Sequence, residues 1–227
     1  MSVEKKINDI KGRVMTMADR SGRAIEDSVK SLIDRDDELA ESIVKNDRGI
    51  DRMESEIDAE CMELFKERLS GHDLRTAAST YRIISELERI GDYSVSIANV
   101  TMAVSNKPLL GTVVEITDMS KVARGMLGSC MDSYLEGSRI GLEPFFNDDR
   151  KIDDLYNKVF LDSLGSILEE PQTATNNIYM IIAARALERI GDHIINIVER
   201  VSYIETGRLI ERDVPMHVPA RTSIGWE

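Results

Sequence analysis

The chain has 227 residues, of which 42% are hydrophobic, enough for one large domain or two smaller ones with a well-filled core. Its 29 basic and 41 acidic residues give a formal net charge of −12. So acidic a surface repels a phosphate backbone, which argues against a nucleic acid partner. The sequence shows no signal-peptide pattern and no apolar run long enough to span a membrane, so we expect a cytoplasmic protein.

The predicted elements, taken along the chain, are all helices. Only five prolines occur, helix-forming residues dominate between them, and apolar residues recur at three- and four-residue steps rather than alternating. Breaks such as Lys107–Pro108 divide this pattern into six long helices, so the chain is predicted to be all-α. The predicted helices span residues 3–33, 36–69, 73–106, 111–140, 145–169 and 172–206.

Six repeated letters reveal an internal duplication. LERIGD occurs at residues 87–92 and again 100 residues later at 187–192, each time in the third helix of a set of three. The sequence therefore predicts two tandem three-helix bundles, covering residues 1–106 and 107–206. Residues 207–227 fit neither half and are interpreted as a C-terminal tail.

The repeated segment places a glutamate and an aspartate one helical turn apart on the same face, and the second helix of each half repeats that spacing. If these pairs face each other across a helix interface, each half gathers at least four carboxylates. So many like charges cannot all stay ionised without compensation. The candidate metal ligands are Asp47, Asp51, Glu54, Glu88 and Asp92 in the first half, and Asp149, Asp153, Glu188 and Asp192 in the second.

Protons, arginine side chains or multivalent cations could each compensate these charges. The arginines nearby are Arg52, Arg89, Arg185 and Arg189. We favour cations, because oxygen-only ligands suit hard ions such as ferric iron, magnesium, calcium and manganese, whereas zinc usually prefers Cys and His. The Glu-x-x-His motif of ferritin-type di-iron sites is absent from the sequence. Taken alone, each acidic pair is more typical of a solvated helix face, and the repetition at matching positions favours a metal site.

Gly91 and Gly191 occupy mid-helix positions, where glycine costs about 1 kcal/mol relative to alanine. They indicate close approach, either of a neighbouring helix or of ions lying against the helix.

Arg89 and Arg189 have two interpretations as well. Either they pair with local acids such as Glu86, or they offer cationic groups to a phosphate or a partner protein. His193 corresponds to Tyr93 of the first half, so we interpret it as structural or exposed rather than as a metal ligand.

The two LERIGD segments, continued to Asn99 and Glu199, resemble the signature of the PhoU phosphate-uptake regulators. The helix-2 segments that begin at Asp47 and Asp149 resemble the second motif of that family, and the resemblance covers residues 3 to about 206. It implies two similar three-helix bundles side by side, often forming homodimers. It also implies metal clusters on the E/D-x-x-x-D motifs, with iron as the first candidate and manganese, magnesium, calcium or zinc as others.

The function that the resemblance implies is that of a non-enzymatic negative regulator of phosphate uptake. Such a regulator links a phosphate transporter subunit to a sensor kinase or transcriptional response, or accompanies another phosphate carrier. Such a protein would be peripheral at the membrane through its protein partners only. One departure concerns the second site, where Tyr156 stands in place of the counterpart of Glu54. The fourth helix is also rich in glycine, so we expect the second site to hold fewer ions or none.

Two other functions stay open. A carboxylate-bridged metal enzyme or oxidase would need a buried site with open coordination and typically His ligands, and the sequence offers neither paired His residues nor a nucleophile with a base. A metal-free helical interaction protein would instead present its acidic faces to basic partners.

Overall fold

A computed structural model of the chain describes residues 2–106 and 111–210. Within these ranges all six predicted helices are present and no strand occurs, so the all-α prediction is confirmed. The predicted break at Lys107–Pro108 and residues 211–227 of the predicted tail lie outside the described residues. The helices are α1 (Val3–Asp34), α2 (Asp37–Leu64), α3 (Gly71–Val104), α4 (Val113–Glu136), α5 (Glu143–Glu169) and α6 (Ala174–Thr206), with a 3₁₀ turn at Pro171–Thr173 before α6.

Some predicted helix boundaries were wrong, for local reasons. Helix α3 begins before residue 73, because the hydroxyl of Ser70 accepts a hydrogen bond of 3.1 Å from the Asp73 N–H and caps the helix. Helix α4 ends before residue 140, because Gly137 takes a left-handed φ of 65° and its N–H donates to the Ser133 carbonyl. Helix α2 also ends short of residue 69, at Leu64.

Helices α1 to α3 pack together as one bundle and α4 to α6 as another, with α3 lying against α6 and α1 against α4. The two bundles repeat the same pattern of buried positions. Val14 and Ile50 are buried, and so are Ile116 and Ile152, which follow them by 102 residues. A single hydrophobic cluster includes residues from all six helices. Across residues 2–106 and 111–210, no helix is long and apolar enough to cross a membrane.

The contact between α3 and α6 brings the two LERIGD segments together. Leu87 and Leu187 are both fully buried there. The rings of Tyr93 and His193, which occupy equivalent positions in the two repeats, have centroids 5.5 Å apart. Equivalent residues meet in this way at a twofold axis, so the two repeats are related by local twofold symmetry at this seam.

Candidate metal-binding patches

Two mid-helix glycines allow carboxylates of one helix to lie against the next. A Cβ atom at Gly91 of α3 would lie 2.8 Å from Oδ1 of Asp47 on α2. A Cβ atom at Gly191 of α6 would lie 3.1 Å from Oδ1 of Asp149 on α5. A side chain at either glycine would therefore displace the facing carboxylate. The acidic faces predicted to meet across these two helix interfaces do meet, once in each repeat.

In the first patch, burial and repulsion between neighbouring carboxylates raise the pKa of two of the acidic side chains. Burial, and then repulsion from Asp51 and Asp92, raises the pKa of Asp47 to about 6. Burial, and then the charge of Asp92, also raises the pKa of Glu88, although Arg89 opposes the shift. Neighbouring carboxylates therefore disfavour the charged forms of Asp47 and Glu88. The first patch consists of Asp47, Asp51, Glu54, Glu88 and Asp92.

Among the described residues, one arginine and one hydroxyl compensate the charge of the first patch. A guanidinium nitrogen of Arg89 lies 3.2 Å from a carboxylate oxygen of Asp92, and another lies 3.5 Å from Glu88. Burial raises the pKa of Glu54, and a hydrogen bond with Ser85 only partly reverses that shift. Ser85 was not singled out from the sequence. Arg52, which the sequence offered as a compensator, has no ion pair within the part of the chain that the structure describes.

The second patch, in contrast, is held by two arginines. It consists of Asp149, Asp153, Glu188 and Asp192. Arg185 lies 2.7 Å from Oε1 of Glu188, and Arg189 lies 2.9 Å from Asp192 and 3.5 Å from Oε2 of Glu188. Burial, and then the charge of Asp192, still raises the pKa of Glu188. Its Oε2 atom is buried without a hydrogen bond.

Two exchanged neighbours explain the difference between the patches. Arg185 stands 100 residues after Ser85, and Tyr156 stands 102 residues after Glu54. The guanidinium carbon of Arg185 lies 5.4 Å from the centroid of the Tyr156 ring, so the tyrosine face holds the arginine beside Glu188. The second repeat has thus lost one carboxylate and gained one cation. These two differences are the physical reason to expect fewer bound ions at the second patch.

Both repeats match the model of the PhoU domain, over residues 14–101 and 116–201. The chain belongs to the PhoU family. It is 27% identical over 210 residues to the phosphate-specific transport system accessory protein PhoU homolog of Clostridium acetobutylicum, and the match covers 92% of this chain and 96% of that protein.

A further relative and a solved structure resemble this PhoU-family chain over most of its length. The protein of the same name from Xylella fastidiosa is 29% identical over 209 residues, which cover 90% of this chain and 87% of that protein. The crystal structure of PhoU from Pseudomonas aeruginosa superposes with a TM-score of 0.87 at 26% identity, covering 91% of this chain and all of that one. The similarity extends over both repeats rather than one.

In this PhoU-family chain, the donor set of the first patch fits a hard cation. Its five carboxylates supply only oxygen ligands, and Arg89 is the partner that pairs with two of them. Among residues 2–106 and 111–210, no three His, Cys, Asp or Glu side chains are already grouped as metal ligands. Mutual repulsion keeps carboxylates apart when no cation joins them. The second patch fits less well, because Arg185 and Arg189 already form ion pairs with Glu188 and Asp192.

One suggested pairing in the repeated segment needs correction. Glu86 is not the partner of Arg89, because it accepts hydrogen bonds from Nδ1 of His193 at 2.7 Å and Nδ2 of Asn196 at 3.0 Å. Of the two interpretations of His193, the structural one is confirmed, because its side chain is 20% exposed and contacts Glu86. This pairing could not be seen in the sequence, since Glu86 and His193 are separated by 107 residues.

Proposed function

We propose that this chain is a non-enzymatic, metal-binding negative regulator of phosphate uptake and phosphate signalling. The observation that carries the proposal is that both repeats match the PhoU domain, along with relatives named accessory proteins of the phosphate-specific transport system. In this role the protein acts in the cytoplasm. It contacts a phosphate transporter subunit and a sensor kinase, and it reaches the membrane through these partners only.

The first patch is the metal site of the proposed regulator. Its carboxylates come from α2 and α3, so a bound cation would join the two helices and stabilise the first bundle. Iron is the first candidate because of the family resemblance, and manganese, magnesium, calcium or zinc are the others. The second patch would hold fewer ions, because Arg185 and Arg189 supply positive charge there.

We prefer a regulator to a carboxylate-bridged metal enzyme or oxidase. The side chain of Asp92 is 44% exposed and that of Glu88 is 20% exposed, so the first patch is open to solvent rather than enclosed. His72 and His193 do not belong to it, because they face Glu205 and Glu86. A metal-free interaction protein is the remaining alternative, and the measurement of bound metal distinguishes it.

The proposed protein is a homodimer, formed through one apolar face of the second repeat. This apolar face consists of Phe160, Leu161, Leu164 and Leu168 on α5 with Ile178 and Ile182 on α6, which are 42% to 75% exposed. The equivalent positions of the first repeat hold Asp58, Ala59, Met62, Lys66, Ala78 and Arg82. At these six positions, the first repeat therefore has no matching cluster of large apolar side chains within the described residues.

A second copy of this chain is the occupant that suits the apolar face. Each copy carries a net charge of −12, so two copies repel each other wherever charged surfaces meet. The six residues of the apolar face carry no charge, and a twofold contact would bury the face against itself.

The regulatory role is tested in a strain from which the gene has been deleted. We expect phosphate uptake and phosphate-responsive transcription to escape repression in high-phosphate medium, and the wild-type gene to restore both. Equal uptake and equal transcription in the deleted and parental strains, at low and high phosphate, would refute the regulatory role.

Metal binding is tested on protein that is purified without an affinity tag and loaded with iron or manganese. Mass spectrometry then measures the amount of bound metal per chain. Glu88→Ala/Asp92→Ala should lose most of the bound metal, whereas the matched variant Glu188→Ala/Asp192→Ala should lose little. A wild-type content below about one metal per ten chains after loading would eliminate the metal-binding part of the proposal.

A further inference from the structure

We propose that a groove between α1 and α2 of the first repeat binds a small phosphate-bearing anion, either inorganic phosphate or a phosphate ester. The groove has a volume of about 530 Å³. This volume lies within the range of small-molecule sites in proteins. The inference does not require the proposed regulatory function or a bound metal, because it rests on basic side chains that belong to neither patch.

The groove is basic although the chain is acidic. Among the lining residues five are basic and two, Asp27 and Asp47, are acidic, which leaves a formal charge of +3 (5 − 2). The whole chain carries −12. A local excess of positive charge on a negative protein concentrates anions at that place. The basic residues are Arg20, Arg23, Lys45, Arg48 and Arg52.

Among residues 2–106 and 111–210, three of the five basic side chains have no ion-pair or hydrogen-bond partner. Arg23 pairs with Asp19, and Lys45 lies 3.3 Å from Glu41. Within the described ranges, Arg20, Arg48 and Arg52 form neither an ion pair nor a hydrogen bond. A guanidinium offers five N–H donors in a planar fork that matches the oxygens of a phosphate group, so three such groups on two walls suit this ligand.

Gly49 allows the two walls to approach each other. A Cβ atom at Gly49 of α2 would lie 2.9 Å from Nη1 of Arg20 on α1, so the guanidinium of Arg20 rests against the backbone of α2. Arg48 and Arg52 stand on α2, on either side of this glycine in the sequence. Although Arg20 belongs to α1, its guanidinium therefore lies near α2, which carries the other two arginines.

The second repeat has not kept this arrangement. The residues that follow Arg20, Gly49 and Arg52 by 102 positions are Val122, Lys151 and Asp154. Arg48 alone has a basic counterpart, Arg150, whose side chain is hydrogen-bonded to Asn147. Lys151 lies 2.7 Å from Asp148. The unpaired arginines are therefore a property of the first repeat and not a consequence of the shared helical scaffold.

The groove and the first patch share one acidic residue, so binding of an anion in the groove and binding of a cation at the patch are linked. Asp47 belongs both to the groove and to the first patch. A cation held by the first patch would offset the negative charge of Asp47 and would strengthen binding of an anion in the groove. The test is therefore run twice, first with a chelator present and then with added manganese.

Binding is measured by calorimetric titration of the full chain with inorganic phosphate and, separately, with glucose 6-phosphate, at constant ionic strength. The two probes distinguish a free phosphate ligand from an ester. We expect saturable binding of at least one probe, weakened about tenfold or more in Arg48→Gln/Arg52→Gln, because charge-assisted hydrogen bonds to phosphate are lost. The matched control Arg150→Gln should bind as the wild type does.

Two results would overturn the inference. One is the absence of saturable binding of either probe up to about 10 mM, with and without manganese, a range that covers weak sites. The other is equal affinity of wild type and Arg48→Gln/Arg52→Gln, once circular dichroism has shown that the variant is folded. If the first result is accompanied by binding of anionic vesicles or of a phosphopeptide, the groove is assigned to a macromolecule instead. None of these results affects the uptake test.

Discussion

Nδ1 of His193 on α6 lies 2.7 Å from Oε2 of Glu86 on α3, and Nδ2 of Asn196 approaches the same oxygen at 3.0 Å. These contacts join the two repeats at the seam where their equivalent helices meet. They are one-sided, because the equivalents of His193 and Glu86 are Tyr93 and Ala186. The apolar contact between α3 and α6 is shared by the two repeats. The hydrogen bonds to Glu86 are an additional contact that is present on one side of this seam.

Replacing Glu86 by alanine should lower the free energy of unfolding by about 1–3 kcal/mol at pH 7, because two hydrogen bonds to a largely buried carboxylate are lost. Urea unfolding followed by circular dichroism measures the change. Glu41→Ala, at an exposed pair with Lys45, is the control and should change stability by less than about 0.5 kcal/mol. Equal losses in the two variants would contradict the prediction.

The pH dependence of the Glu86 contribution has a definite sign. Burial by itself raises the pKa of Glu86, but the hydrogen bonds from His193 and Asn196 and the charges of His193 and Arg200 together outweigh it and lower the pKa below 4.5. The stability it contributes is therefore present above pH 4.5 and is lost as the pH falls through the lowered pKa. The difference between wild type and Glu86→Ala should shrink on acidification below about pH 4.5.

Replacing Gly91 by alanine should weaken metal binding at the first patch. The added Cβ would lie 2.8 Å from Oδ1 of Asp47 and 3.2 Å from Cδ1 of Ile50, so the carboxylate must move away from α3. Manganese affinity, measured by electron paramagnetic resonance, should fall by about tenfold, the equivalent of about 1.4 kcal/mol. Gly12→Ala is the control, because nothing lies within 4 Å of a Cβ there. Unchanged affinity in Gly91→Ala would count against Asp47 as a ligand.

Replacing Asp47 by asparagine should stabilise the metal-free protein above pH 6. Burial, and then repulsion from Asp51 and Asp92, raises the pKa of Asp47 from 3.8 to about 6. A raised carboxyl pKa means that the folded state binds more protons than the unfolded state, so the wild type loses stability as the pH rises from about 4 to about 6.

The Asp47→Asn variant has no carboxylate to ionise there and therefore does not lose this stability. At pH 7.5 its free energy of unfolding should exceed that of the wild type by about 1 kcal/mol. The difference is smaller than the full pKa shift would give, because solvent partly screens the half-buried side chain. Urea unfolding with a chelator present checks the difference at pH 4 and pH 7.5. Asp118→Asn, at the surface pair with Lys121, should show no such pH-dependent difference. A wild type that stays more stable than Asp47→Asn at pH 7.5 would contradict the prediction.

Charging the apolar face should dissociate the proposed homodimer. In Leu164→Glu/Leu168→Glu, two carboxylates in each copy would have to be buried in the contact without a cationic partner, which strongly disfavours association. Light scattering coupled to size exclusion should report about twice 25.5 kDa for the wild type and 25.5 kDa for the variant. Met62→Glu/Lys66→Glu, at the equivalent positions of the first repeat, should remain dimeric. A monomeric wild type would refute the proposal.

The helices and their duplication could be predicted from the sequence because the signals are local. Apolar spacing within one helix, the proline and glycine breaks and the two copies of LERIGD each require only neighbouring residues. The same is true of the acidic pairs, since residues four apart share one face of a helix. The mid-helix glycines predicted close approach, and the structure shows Asp47 and Asp149 as the approaching groups.

The sequence by itself determined the all-α class, the repeat and the residues that could bear the chemistry. Only the tertiary structure decided which charges are compensated: Arg89 pairs with Asp92, Arg185 with Glu188 and His193 with Glu86, whereas Arg48 and Arg52 in the groove stay unpaired within the described residues. These outcomes depend on how helices cross and rotate, which sets distances between residues far apart in sequence. Because Coulomb interactions and desolvation change over a few ångströms, residue type alone cannot specify them.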